Sequence, residues 1–215
     1  MITPRLTICS ILSALLISAC SLIEPAALQR TVRVKVLADS RFRAMDPRWQ
    51  QGARGLIEAA SDYYEREFGI RFVPEKIEPW AGEEKSSLTA EMLSQLKRDY
   101  PFKGENGNYD LIVGLTAGQV NLYAGRSRVD RIGNCEQGLA HYVVAYISAP
   151  FHYQGSDTEL EPDVVGLLHE LGHIFGAEHV DDMHSIMNEE FEYRSEFDKK
   201  NHQVILKNKF CPFAK

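Results

Sequence analysis

Residues 169–179 read His-Glu-Leu-Gly-His-Ile-Phe-Gly-Ala-Glu-His, which is an uninterrupted H-E-x-x-H-x-x-G-x-x-H string. Residues four apart lie on the same face of an α-helix, so His169 and His173 can each direct one ring nitrogen to a common point. Glu170 directly follows the first histidine and can reach a water at that point without occupying a ligand position. The string therefore predicts a helix that carries two metal ligands and a general base.

A bend after this helix completes the ligand set. A longer helix would carry His179 away from the common face, whereas Gly176 can end the helix in the left-handed conformation at no steric cost. Three neutral imidazoles leave a fourth position open, which is typical of a catalytic zinc site, because structural sites are closed by four protein ligands. A solvated His/Glu pair without a metal explains only the first part of the string. We therefore predict one Zn²⁺ ion bound by His169, His173 and His179.

With these residues the chain resembles the metzincin metallopeptidases, in which the long zinc motif is followed by a tight turn that carries methionine. Met187 lies eight residues after His179, as in the matrixin branch, and Asp182 occupies the position of the matrixin aspartate. The resemblance implies that Met187 forms an apolar floor under the metal and that Asp182 hydrogen-bonds near the turn. Astacin-like and serralysin-like members place a tyrosine ligand two residues beyond this methionine, but here that residue is Glu189.

The resemblance implies a zinc-dependent endopeptidase that cleaves peptide or protein substrates. The metal would activate a water, and Glu170 would take the proton of that water as general base. Two other functions stay open: a zinc amidase or peptidase that acts on cell-wall peptides, and a non-catalytic zinc-binding lipoprotein of the envelope. The intact motif argues against the last of these, since a binding protein would be expected to have lost Glu170 or a ligand.

The N-terminus predicts export. An apolar run from Leu6 to Ile17 has the length of a signal-peptide core and is too short to span a bilayer. It ends in Ile-Ser-Ala-Cys, which looks like a bacterial lipobox, so we expect removal of residues 1–19 and lipidation of Cys20. Two acyl signals suffice for stable anchoring. We therefore predict a lipid-anchored protein of the bacterial cell envelope, in the outer membrane where the cell has one. An ordinary secretory signal is the alternative.

The rest of the chain predicts one domain. Residues 20–30 form a short tether, and residues 31–215 form a single catalytic domain that divides at about residue 179 into an N-terminal and a smaller C-terminal subdomain. The chain is 44% apolar, which suits a sizeable core, and its net charge of −6 gives no basic surface for nucleic acid. The expected partners are therefore a peptide substrate and the membrane, with a monomer as the default state.

Two cysteines remain after export and lipidation. Cys135 and Cys211 form a candidate disulfide, which in an oxidising compartment would close a long loop and add about 4 kcal/mol of stability in the chain-entropy model. Two separate small buried residues are the alternative.

Alternating and helical patterns place the motif in a mixed α/β fold. Strands are predicted at residues 31–37, 70–73, 109–115 and 139–148, and helices at 47–69, 88–96, 163–175 and from Ser195 onwards. One face of the last helix is predicted to be packed by Phe197, Val204, Ile205 and Phe210. This order agrees with the metzincin-like zincin fold that the resemblance implies: a twisted, mixed but mostly parallel sheet, a backing helix, an active-site helix, and a C-terminal subdomain with the Met-turn and a terminal helix.

Two segments are predicted to contact the substrate. An extended peptide would pair with an exposed strand edge, and the best candidate lies within residues 133–146. Residues 188–194 occupy the place where metzincins build the wall of the pocket after the scissile bond. Three glutamates there would favour a basic substrate residue, although a solvated acidic loop is the commoner outcome of such a run.

Overall fold

Parallel strands form the centre of the computed structural model, which describes residues 29–80, 88–117, 127–155, 160–189 and 195–214. Within these residues five strands form one sheet: β1 Arg30–Ala38, β2 Ile70–Pro79, β3 Leu111–Thr116, β4 Ser127–Val129 and β5 Tyr142–Tyr146. Their order across the sheet is β2-β1-β3-β5-β4, and only β4 runs antiparallel to its neighbour. The predicted mixed, mostly parallel α/β class is confirmed.

Helices cover both faces of this sheet. The described α-helices are α1 Ser40–Met45, α2 Trp49–Phe68, α3 Thr89–Asp99, α4 Pro162–Ile174 and α5 Lys199–Asn208, with a short 3-10 helix at Gly104–Asn108. Successive strand residues point to opposite faces, so Val36 and Val113 pack in the core that contains α2 and α4, while Leu37 and Ile112 pack towards α3. A sheet buried on both faces explains the nearly continuous apolar runs of its central strands.

Tyr64 links the backing helix α2 to α4. Its side chain is fully buried, and its hydroxyl donates to the carbonyl oxygen of Leu168 at 3.1 Å. Burial raises the pKa of Tyr64 well above its usual value, so the hydroxyl remains a neutral donor. This bond fixes α4 at the residue that immediately precedes His169.

β2 is longer than predicted because it lies at an edge of the sheet. The sequence pattern predicts a strand from Ile70 to Val73, but β2 continues to Pro79. Proline is tolerated on edge strands and at bulges, and Pro74 meets both conditions. Among the described strands β2 pairs only with β1, and the register shifts opposite Pro74, between Val34 and Lys35.

The short helix α1 was not predicted, and it changes the start of α2. Its N-cap is Asp39, whose carboxylate accepts the backbone N–H of Phe42 at 2.7 Å. Asp46 is the C-cap of α1, and Pro47 and Arg48 form the turn between the two helices. α2 consequently begins at Trp49 and not at Pro47.

An exposed strand edge for the substrate was predicted within residues 133–146, and for β5 this prediction is wrong. This strand pairs with β3 on one side and with β4 on the other, so its main chain is occupied. The strand at that end of the sheet order is β4, which packs beside α4. β4 has only three residues, too few to show the alternation by which strands are predicted.

The last helix begins later than predicted, at Lys199 and not at Ser195, because the carboxylate of Asp198 caps it by accepting the backbone N–H of Asn201. One predicted side chain also differs. Phe197 and Ile205 are buried and Val204 is half-buried, as the pattern predicts, but Phe210 is 57% exposed. The reason is that α5 ends at Asn208, so Phe210 no longer follows the helical period.

Several predicted features lie outside the described residues. They are the signal peptide, Cys20, most of the tether, and residues 190–194 of the predicted pocket wall. Among the described helices, none is both long enough and apolar enough to cross a bilayer. The division into tether and two subdomains stays a prediction.

Candidate metal centre

α4 carries the first two histidines. Pro162 occupies its first turn, where the missing N–H removes no helical hydrogen bond, and the carboxylate of Asp163 accepts the backbone N–H of Ser148 at 2.8 Å. This bond fastens the start of the helix to the chain just beyond β5. His169 and His173 follow one turn apart, are 7% and 5% exposed, and place their Nε2 atoms 3.2 Å from each other. Helical spacing therefore brings the two rings to one point.

The helix ends in a Schellman motif centred on Gly176. The N–H of Ala177 donates to the carbonyl of Gly172 at 3.0 Å, and the N–H of Gly176 donates to the carbonyl of His173 at 3.1 Å. Gly176 has φ +94°, which disfavours any residue with a side chain, and a Cβ there would lie 2.6 Å from the carbonyl oxygen of Gly133. The chain can make this turn only with glycine at position 176.

The turn brings His179 to the same point as the first two rings. Its Nε2 atom lies 3.1 Å from that of His169 and 3.0 Å from that of His173. Ligands of a tetrahedral zinc ion at about 2.0–2.1 Å lie roughly 3.3–3.4 Å apart, so the three nitrogens have nearly the spacing that zinc requires. Among the described residues, these three histidines form the group that could hold a metal ion.

Two of the rings donate to backbone carbonyls through their outer nitrogen. Nδ1 of His169 lies 2.7 Å from the oxygen of Ile186, and Nδ1 of His173 lies 2.7 Å from the oxygen of Ala177. An acceptor at Nδ1 keeps the proton there and leaves a lone pair on Nε2. Burial lowers the pKa of His173, so this ring is neutral at neutral pH. Neutral imidazoles with lone pairs directed to one point are the donor set that zinc binds.

Glu170, the predicted general base, follows His169 on α4. It is 8% exposed, so it lies in the same buried stretch of helix as the first two ligands. Burying a carboxylate is unfavourable unless hydrogen bonds or positive charge compensate for the lost hydration, and a cation held by the neighbouring histidines would add to that compensation. Its catalytic role stays a prediction.

The turn that carries Met187 packs beneath α4. Met187 is fully buried, and a Cβ at Gly172 would lie 2.7 Å from its sulfur, so the methionine lies under the residue before the second ligand. The carboxylate of Asp182 accepts the backbone N–H of His184 at 3.0 Å, which tightens the loop before the methionine. The N–H of Val180 donates to the carbonyl of Met187 at 3.2 Å and closes this loop.

Two asparagines of α5 hold the backbone around the third ligand, and neither belongs to a motif from which it could be predicted. The side chain of Asn201 accepts the N–H of Glu178 at 2.9 Å and donates to the carbonyl of Glu178 at 2.8 Å. Asn208 donates to the carbonyl of Phe175 at 2.9 Å. The two amides are seven residues apart, which is about two helical turns and places them on one face of α5. That spacing is the one signal that could have found them.

The loop before β5 supports the end of α4 from another side. The N–H of Gly133 donates to the carbonyl of His173 at 2.8 Å, and a Cβ at Gly133 would overlap the carbonyl oxygen of Ile174. Two residues later, Cys135 forms a disulfide with Cys211, and their Cα atoms are 4.9 Å apart. The disulfide joins this loop to the segment that follows α5, so both supports of the metal centre are covalently linked.

Comparisons with known proteins agree with this geometry. A family model described as Metallo-peptidase family M12 matches residues 28–210. Among solved structures, archaemetzincin from Methanopyrus kandleri is similar, with a TM-score of 0.57 and 18% sequence identity over 86% of this chain and 97% of that chain. At this identity the likeness is one of fold. A search of curated proteins finds no match.

Proposed function

The chain belongs to metallopeptidase family M12, and on that basis we propose that it is a zinc-dependent endopeptidase with Glu170 as its general base. The observation that carries the proposal is the group of three Nε2 atoms within 3.2 Å of one another, beside a helix that also carries a buried glutamate. Three protein ligands leave the fourth position of zinc for water or substrate, which favours hydrolysis over a purely structural metal.

Each residue of the centre has a separate part in the proposed reaction. His169, His173 and His179 would hold the ion, which when bound supplies Lewis acidity to the scissile carbonyl and to the attacking water. Glu170 accepts the proton of that water and delivers it to the departing amine. Met187 supports the ligand-bearing turn from below without ligating the metal.

The substrate would bind in extended form along β4 (Ser127–Val129). β4 ends the order of the described strands and packs beside α4, the helix that carries His169 and His173, and this supports binding of the peptide along β4. Pairing of main chain to main chain supplies affinity that is independent of sequence, while pockets for side chains supply specificity.

Zinc content and proteolysis of the purified full chain test this proposal. We expect one zinc per chain and cleavage of a denatured protein substrate that stops when a chelator removes the metal. A protein without zinc would contradict the proposal. Zinc without cleavage of denatured protein, but with cleavage of cell-wall peptides, would favour an amidase instead.

We further propose that the protein is an envelope lipoprotein anchored through Cys20. The sequence Ile-Ser-Ala-Cys at residues 17–20 supports lipidation at this position. The Cys135–Cys211 disulfide supports export, because disulfides persist in oxidising compartments.

Replacing Cys20 with serine tests the anchor in a bacterial host that processes lipoproteins. We expect labelled palmitate to enter the wild-type protein and to be absent from the Cys20→Ser variant, since serine offers no thiol for acylation. Cys9→Ser is the matched control, because Cys9 lies in the predicted signal peptide, and it should retain the label. Label in Cys20→Ser, or none in the wild type, would refute lipidation at this residue.

A further inference from the structure

The third ring of the metal centre differs from the other two in its outer contact. Nδ1 of His179 lies 3.1 Å from a carboxylate oxygen of Glu189, whereas the outer nitrogens of His169 and His173 face backbone carbonyls. The side chain of His179 is also 46% exposed, while the other two histidines are buried. His179 is therefore the ligand with the least packing to fix its orientation.

Glu189 is brought to His179 by the backbone of the Met-turn. The N–H of Val180 donates to the carbonyl of Met187 at 3.2 Å, and the side chain of Asn188 donates to the carbonyl of Val180 at 3.1 Å. These bonds hold the residue after His179 against the residue before Glu189. With the backbone held in this way, the side chain of Glu189 is long enough for its carboxylate to contact the ring of His179.

We propose that Glu189 is a positioning residue for the third zinc ligand, an inference that rests on the proposed zinc-peptidase function. A neutral histidine carries its proton on either ring nitrogen, and a proton on Nε2 would block metal binding. A carboxylate at Nδ1 keeps the proton on that nitrogen, turns Nε2 to the metal and increases its electron donation. Glu189 does this for the one ring that has no buried carbonyl acceptor among its described contacts.

Glu189 occupies a position at which some metzincins carry another type of residue. It lies two residues after Met187, where astacin-like and serralysin-like metzincins carry a tyrosine that ligates the metal directly. In this chain the side chain at that position contacts the outer nitrogen of a ligand, so it acts on the metal through His179. The same position on the turn would thus serve the metal centre by a different chemical route.

Zinc affinity of Glu189 variants tests the proposal, measured on the purified full chain by competition with a chromophoric chelator. We expect Glu189→Ala to weaken zinc binding by about 10–100-fold, the range found when such outer partners of metal ligands are removed. Glu189→Gln keeps an acceptor oxygen but loses the charge, so its affinity should lie between those of the wild type and the alanine variant. Equal affinity of Glu189→Ala and the wild type would overturn the proposal.

Asp181→Ala is the matched control for charge. Asp181 is exposed, lies in the same loop two residues after His179, and its replacement removes the same unit of charge. We expect its zinc affinity to stay at the wild-type value. An equal loss in Asp181→Ala and Glu189→Ala would show a general charge effect and would refute a specific hydrogen bond.

A spectroscopic readout separates this role from a loss of folding. In ¹⁵N-labelled zinc-loaded protein, the Nδ1–H proton of His179 should exchange with water more slowly in the wild type and in Glu189→Gln than in Glu189→Ala. Unchanged exchange in the alanine variant would contradict the proposal. If the wild type binds no zinc, the proposed function fails first, and that result is distinct from a wild type that binds zinc without help from Glu189.

Discussion

Glu170→Ala is expected to lower the rate of peptide hydrolysis by about 10²–10⁴-fold, the usual contribution of a general acid–base group. The loss arises because Glu170 is the group that accepts the proton of the attacking water in the proposed reaction, and alanine cannot accept it. Zinc should remain bound, since the three histidines and their outer acceptors are unchanged. The measurement is kcat/KM on a quenched peptide substrate together with the metal content of the same sample.

Glu161→Ala serves as the control for this experiment. Glu161 is exposed at the N-cap of α4 and its side chain makes no capping hydrogen bond, so the variant removes one carboxylate from the same helix without touching the metal centre. Its rate should equal that of the wild type. A Glu170→Ala protein that keeps more than about a tenth of the wild-type rate would remove Glu170 from the role of general base.

Gly133→Ala is expected to destabilise the protein by on the order of 3 kcal/mol, at the upper end of the range for overpacked sites. The added Cβ would overlap the carbonyl oxygen of Ile174, which is backbone at the end of α4 and cannot rotate away. The loop and the helix end must therefore separate, and the bond from Gly133 to the carbonyl of His173 is lost. The midpoint of urea unfolding should fall, with an unchanged slope.

Gly166→Ala makes the same chemical change with the opposite expected sign. Gly166 lies inside α4, and a Cβ there would meet nothing within 4 Å. Alanine in a helix interior is more favourable than glycine by about 0.5–1 kcal/mol, so the unfolding midpoint should rise. A Gly133→Ala protein that unfolds at the wild-type urea concentration would show that the contact between this loop and α4 is not tight in solution.

The parts of the fold that could be predicted are those fixed by local periodicity. The metallopeptidase family and the mostly parallel α/β class were predicted from the zinc motif and the alternation of strands such as Arg30–Ala38, and both are confirmed. The metzincin type and the matrixin-like placement stay predictions. β4 was not predicted because a strand of three residues is too short to show an alternating pattern. The predicted β2 was too short because proline is tolerated in a strand only at a sheet edge or a bulge, and the sequence does not show that Pro74 lies at one.

The ligands of the metal centre could be predicted, but the residues that hold the backbone around them could not. His169, His173 and His179 have a spacing that helix geometry and one glycine explain. Asn201 acts through a contact with Glu178, which lies 23 residues earlier in the chain. The seven-residue spacing of Asn201 and Asn208 shows that they share a face of α5, but it does not show which backbone groups they contact. Those partners are known only from the folded structure.

The clamp that Asn201 and Asn208 form has a consequence for when the centre can be assembled. A ribosome makes the three histidines before it makes the two asparagines, and the interval from residue 179 to residue 208 takes roughly 1.5–6 s at ordinary rates of synthesis. During that interval the nascent chain has the complete motif, but the loop that holds His179 has no backbone partner on α5. A chain that stops before residue 201 would therefore carry every ligand without the two amides that align the loop of His179.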